Sequence, residues 1–106
     1  LGSVKDRAWI VELDQDSYIL FSRSSTHPII YAITLVTTRR GRAHAVRTYD
    51  NAHRADEHHV HRYIGQRKQP PTMTHGPVNE AMARADRDIR GNWRSYIRQW
   101  EETIDR

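Results

Sequence analysis

Hydrophobic and polar residues alternate along much of the first half of the chain, and this pattern predicts β-strands. Near the start, Trp9, Val11 and Leu13 occupy every second position. Successive side chains of a strand point to opposite faces, so a period of two indicates a strand. The pattern predicts five strands, of which the last has the weakest pattern: residues 7–13, 18–22, 29–37, 42–50 and 59–64.

The segment 29–37 has the strongest strand pattern, because it is rich in β-branched residues and apolar on both faces. This predicts a central strand that is covered on two sides. Gly41 follows it at a position suited to a hairpin turn, and residues 42–50 then form the return strand. The sheet is therefore expected to be antiparallel.

Residues 78–105 carry apolar side chains every three or four positions, which predicts an amphipathic helix. Trp93 and Trp100 lie on its apolar stripe and are expected to anchor the core. Gly91 and Asn92 lie off the stripe, so we expect a bend or break there. The preceding segment 65–77 contains three of the four prolines and predicts a linker without regular structure.

These elements predict an α+β fold, with an antiparallel sheet of four to five strands followed by one long C-terminal amphipathic helix. We expect one domain over residues 4–106, and residues 1–3 resemble the remnant of a cleaved tag. A helix of this length would extend about 40 Å, more than the width of a small domain. One helix also covers only one sheet face, so we expect a homodimer.

Composition excludes several classes of protein. The chain has 106 residues, of which 37% are hydrophobic, and it contains no cysteine. Disulfides, thiolate zinc sites and thiol nucleophiles are therefore excluded. No apolar stretch is long enough to span a bilayer and no secretory signal pattern is visible, so we expect no membrane association.

The net charge of +4 is concentrated in the middle of the chain. Residues 39–68 carry eight basic and three acidic side chains, a local excess of +5, together with five of the seven histidines. Of the 17 basic residues, 15 are arginine, whose guanidinium group suits phosphate. This segment predicts a surface for RNA, DNA or a nucleotide, although a solvated basic loop has the same composition.

Four histidines fall within residues 53–61, and three interpretations of them remain open. On a strand, His59 and His61 share one face, and His53 in the preceding loop can fold back toward them. They can bind a divalent metal with Asp50, act as acids and bases on a phosphodiester, or form the surface of a basic loop.

The layout also resembles the TumE family, the small toxins of type II toxin–antitoxin pairs that are grouped loosely with the RelE and ParE toxins. The similarity lies in a strand ending in Tyr-Asp-Asn-Ala-His (residues 49–53), then His-x-His (residues 59–61), a proline-containing linker and a C-terminal amphipathic helix. It implies a cytoplasmic toxin of bacteria or archaea that is held inactive by a helix-turn-helix antitoxin. A hairpin replaces the two helices that RelE-like toxins place between their first strands, so a strict RelE fold is not implied.

The leading hypothesis is thus a toxin that acts on RNA by histidine-based acid–base catalysis, without a cofactor and without a metal. The predicted catalytic residues are His53, His59, His61 and Asp50. The predicted substrate-binding residues are Arg54, Arg62, Arg67, Asn51 and Tyr63. Asn51 can instead cap the loop, and Tyr49 and Tyr63 can stack a base or pack at the sheet edge. The alternative function is a non-enzymatic binding or regulatory module that uses residues 39–68.

Overall fold

The computed structural model describes residues 7–104, which form an antiparallel sheet followed by one helix. The strands are β1 (Arg7–Glu12), β2 (Ser17–Arg23), β3 (Tyr31–Arg39), β4 (Arg42–Asp50), β5 (Glu57–Ile64), β6 (Arg67–Lys68) and β7 (Thr72–His75), and helix α1 is Val78–Ile104. The α+β class and the long C-terminal helix are confirmed. The strand count is higher than the predicted four to five. Residues 1–3, the predicted tag remnant, lie outside the described residues.

The first five strands follow one another across the sheet, each antiparallel to the next. The chain then turns at Gly65 and runs back along β5, where β6 and β7 both pair with it. Pro70 and Pro71 separate these two short strands because proline has no N–H to donate. The prediction of an unstructured linker over residues 65–77 was therefore wrong, because the prolines lie outside the two short strands and leave their residues free to pair with β5.

The hydrophobic core lies between one face of the sheet and α1. Ile19, Ile33 and Leu35 are fully buried on the sheet side, and Trp93 and Trp100 are buried on the helix side. Both tryptophans are therefore core residues, as the apolar stripe predicted. Packing between these apolar side chains holds α1 against one face of the sheet.

Helix α1 is continuous over its 27 residues, so the break expected at Gly91 and Asn92 does not occur. The Asn92 amide donates to the Asp88 carbonyl one turn earlier, at 2.9 Å, and so supports the helix at this point. The helix is about 40 Å long, which matches the longest dimension of the molecule, 41 Å. The described residues contain no helix apolar enough to cross a membrane.

A β-bulge interrupts the regular alternation of β4. Leu35 pairs with Arg47 but its neighbour Val36 pairs with Ala45, which leaves Val46 as an extra residue. Because of this extra residue, the side chains of Val46 and Tyr49 both lie in the core. Without the bulge, strict alternation would place Val46 on the opposite face from Tyr49.

The second face of β3 has a different environment from its core face. Ala32 and Thr34 are only partly buried there, whereas Val36 is buried, so β3 is fully covered on the helix side and covered only in part on its second face. The homodimer stays a prediction.

Candidate functional site

Strands β4 and β5 bring three of the predicted catalytic residues together. Asp50 pairs directly with His59, and Thr48 pairs with His61. Residues opposite one another in an antiparallel pair point to the same face, and every second residue of a strand shares that face. The three side chains therefore share the sheet face that is turned away from α1.

The imidazoles of His59 and His61 both face the carboxylate of Asp50. His59 Nδ1 lies 3.7 Å from Asp50 Oδ1, and His61 Nε2 lies 3.7 Å from Asp50 Oδ2. All three residues offer a polar atom within 4.8 Å of the others. Their side chains are only 5%, 13% and 8% exposed for His59, His61 and Asp50. We call this group the Asp50–His59–His61 cluster.

The remaining nitrogen of each imidazole has its own partner outside the cluster. His61 Nδ1 lies 2.9 Å from the Gln69 carbonyl, which only accepts, so Nδ1 donates the proton. His59 Nε2 donates likewise to the Glu57 carboxylate at 3.2 Å. In the neutral imidazoles the lone pairs then lie on His59 Nδ1 and His61 Nε2, the two atoms that face Asp50.

Asn51 fixes the loop that follows β4. Its side chain is fully buried, accepts a hydrogen bond from the Tyr31 N–H at 2.8 Å and donates to the carbonyls of Ile29 and Ala55. The substrate-binding role predicted for Asn51 is therefore corrected, because its amide is fully buried and bonded to backbone. The alternative prediction, that Asn51 caps the loop, agrees with these contacts.

His53 is placed by that loop at the edge of the cluster. Its ring centroid lies 5.3 Å from that of His59, and its side chain is exposed. Arg54 follows it in the chain, 70% exposed, with its nitrogen 3.7 Å from Asp56. The loop thus places His53 beside His59, the side of the strand toward which the sequence predicted that it folds back.

The other predicted binding residues are spread around β5. Arg62 adjoins His61 in sequence and therefore points to the opposite face, where it lines a cavity beside α1. Arg67 is exposed on β6 and pairs with Ile64, beyond the end of the cluster. Tyr63 is on the cluster face, with its hydroxyl 3.4 Å from Thr48 Oγ1. The structure therefore separates Arg62 from the histidines that it was predicted to assist.

His58, the remaining histidine of this stretch, is a structural residue. Its Nδ1 accepts from the Tyr31 hydroxyl at 2.9 Å and its Nε2 donates to the Gly76 carbonyl at 2.8 Å. Burial, assisted by the negative charge of Asp50, raises the pKa of Tyr31 to about 12, which keeps this donor protonated. Both nitrogens of His58 are thus occupied.

A second polar group lies between the sheet and α1, centred on Asp88. Tyr49 and Tyr96 donate to its carboxylate, and an Arg47 nitrogen lies 3.8 Å away. Burial acts to raise the pKa of Asp88, but these hydrogen bonds and the Arg47 charge outweigh it and lower the pKa below its ordinary value. Tyr49 is therefore held in the interior by its hydrogen bond to Asp88. Stacking on a base, one of the two roles considered for Tyr49, does not fit this buried position.

The sequence did not single out the residues that orient the imidazoles. Glu57 lies two residues before His59 on the same strand face, so strand alternation places it beside His59. Extending the predicted fifth strand by two residues would have found it. Gln69 acts through its backbone carbonyl, for which no side-chain pattern exists.

Comparison with known families gives one match. The model of the domain of unknown function DUF7718 matches residues 4–106. The chain belongs to that family. No curated protein and no solved structure matches the chain. The DUF7718 match covers the whole sheet and helix, and it assigns no activity to the cluster.

Proposed function

We propose that this DUF7718 chain is the toxin of a toxin–antitoxin pair and that it cleaves RNA at the Asp50–His59–His61 cluster and His53. The observation that carries the proposal is the convergence of two imidazoles on one buried carboxylate, with a third, exposed imidazole beside them. Histidines of a simple basic surface loop would instead point into solvent.

RNA cleavage needs two proton transfers that imidazoles can perform near neutral pH. A base removes the proton of the 2′-hydroxyl as its oxygen bonds to phosphorus, and an acid donates a proton to the 5′-oxygen as its bond to phosphorus breaks. His53 is exposed and His61 is the most accessible member of the cluster, so we assign the two proton transfers to them, whereas His59 and Asp50 are more deeply buried beside them. Arg54, next to His53, supplies a positive charge for the phosphate.

The toxin assignment is supported by the resemblance of residues 49–53 and 59–61 to the TumE family. On the same resemblance we propose that its partner is a helix-turn-helix antitoxin and that it acts in the cytoplasm. A helix-turn-helix gene adjacent to the gene of this chain would support the pairing.

The test combines a growth assay with cleavage of a defined RNA by the purified chain. We expect the wild type to inhibit growth when expressed alone, and His53→Ala and His61→Ala each to lower the cleavage rate by about 10²–10⁴-fold. His27→Ala is the matched control, because His27 is also exposed but lies in the β2–β3 loop. A harmless wild type that binds RNA without cleaving it would overturn the proposal in favour of the non-enzymatic binding module.

A further inference from the structure

We propose that the Asp50–His59–His61 cluster binds a divalent first-row transition metal ion. The two imidazole lone pairs and the carboxylate face one another across separations of 3.7 Å. These distances are too long for hydrogen bonds, so no hydrogen bond joins either imidazole to the carboxylate. A cation at the centre would be attracted by all three groups.

The orientation of each imidazole supports an ion rather than a chance cluster. A metal-binding histidine usually donates its other N–H to a carboxylate or a backbone carbonyl, which fixes its tautomer. Here the Glu57 carboxylate accepts from His59 and the Gln69 carbonyl accepts from His61. Both partners thus leave the lone pair directed at Asp50. The Ala52 N–H in turn donates to Asp50 Oδ1 at 3.2 Å and orients the carboxylate.

The spacing of the donor atoms fits one ion. Nitrogen and oxygen ligands bind Zn²⁺ at about 2.0–2.2 Å, so two ligands of one ion lie about 3.0–3.5 Å apart. The two nitrogen–oxygen separations of 3.7 Å require only a small contraction, and all three donor atoms lie within 4.8 Å of one another. Two imidazoles and one carboxylate favour zinc, iron or a related transition ion over magnesium, which prefers oxygen ligands.

This inference deepens the proposed function, on which its catalytic consequence rests, and it departs from the metal-independent interpretation favoured by the sequence. Three protein ligands leave coordination positions open to water, as in catalytic zinc sites. A bound ion would be held by Asp50, His59 and His61 and would supply Lewis-acid activation of water, so His61 would then act as a ligand and not as an acid or base. His53, exposed beside His59, remains available for a proton transfer.

Zinc binding by the full chain tests the inference without any RNA. After chelator treatment and dialysis, calorimetric titration with ZnCl₂ should show one tight equivalent, and titration with MgCl₂ should show none. We expect Asp50→Asn and His61→Ala each to weaken zinc binding by more than about 100-fold, and Glu57→Ala by about 10–100-fold because it only orients His59. His27→Ala should bind zinc like the wild type.

A measurement on the wild type locates the metal site even if the variants fail to fold. Co²⁺ in place of Zn²⁺ should broaden the imidazole NMR signals of His59 and His61 and spare those of His27. Absence of a tight zinc equivalent, or broadening centred on other histidines, would overturn the metal site. Zinc bound at the cluster without RNA cleavage would instead overturn the proposed function and leave the metal site standing.

Discussion

Substitution of Asn51 by alanine should destabilise the protein strongly, because its amide holds the loop that carries His53. The side chain satisfies the buried Tyr31 N–H at 2.8 Å and the buried Ile29 carbonyl at 2.8 Å. Each buried polar group left without a partner costs about 1–3 kcal/mol. Loss of both partners, with the weaker contact to Ala55, predicts a decrease of about 3–5 kcal/mol in the free energy of unfolding.

The assay is urea unfolding, followed by tryptophan fluorescence and far-UV circular dichroism. If the slope of the free energy of unfolding against urea concentration is the same in variant and wild type, the substitution has changed stability alone. Asn92→Ala is the matched control. Its amide donates to Asp88 from the exposed side of α1, where water can replace the lost contacts, so its effect should stay below about 1 kcal/mol. An Asn51→Ala variant within about 1 kcal/mol of the wild type would refute the structural role of Asn51.

Three further predictions address the core, the Asp88 group and the basic segment. Trp100→Ala should cost about 3–5 kcal/mol in unfolding experiments, whereas Trp9→Ala, at a position 42% exposed, should cost far less; equal losses would contradict the core assignment. The pKa of Asp88 is lower in the folded than in the unfolded chain, where it is about 3.9, so ionised Asp88 stabilises the fold at pH values above that. The greater stability of the wild type over Asp88→Asn should therefore disappear as the pH falls through the folded-state pKa. A constant difference in stability across that range would show that Asp88 does not titrate this way. RNA binding should weaken with salt by about 0.7 in log K for each phosphate contact per log unit of salt; affinity that stays constant between about 50 and 200 mM salt would exclude phosphate contacts by residues 39–68.

Local periodicity was sufficient to predict most of the fold. Strand β4 occupies the predicted residues 42–50, and α1 begins at the predicted residue, Val78. These elements bury one face against a common core, so their patterns are strong. The pairing of β7 with β5 could not be predicted in this way, because all four residues of β7 are exposed and carry no apolar alternation.

The candidate site was predictable where it depends on side chains of neighbouring strands. His59 and His61 share a face by alternation, and the antiparallel return from β4 to β5 places Asp50 opposite His59 on that same face. The roles of Asn51 and Arg62 depended instead on burial and on which strand face is covered, and neither follows from residue type. The tautomers of the imidazoles depend on Gln69 and Glu57, which the sequence pattern did not connect to the histidines.

The protonation pattern of the two imidazoles tests the central claim most directly, since the cluster works as a site only if both lone pairs face Asp50. Long-range ¹H–¹⁵N NMR of the metal-free wild type, at a pH above about 8 where ordinary imidazoles are neutral, distinguishes the tautomers. We predict that His59 carries its proton on Nε2 and His61 on Nδ1, as their contacts with Glu57 and Gln69 require. A proton on His61 Nε2 or on His59 Nδ1, or rapid tautomer exchange like that of an exposed histidine, would contradict this prediction.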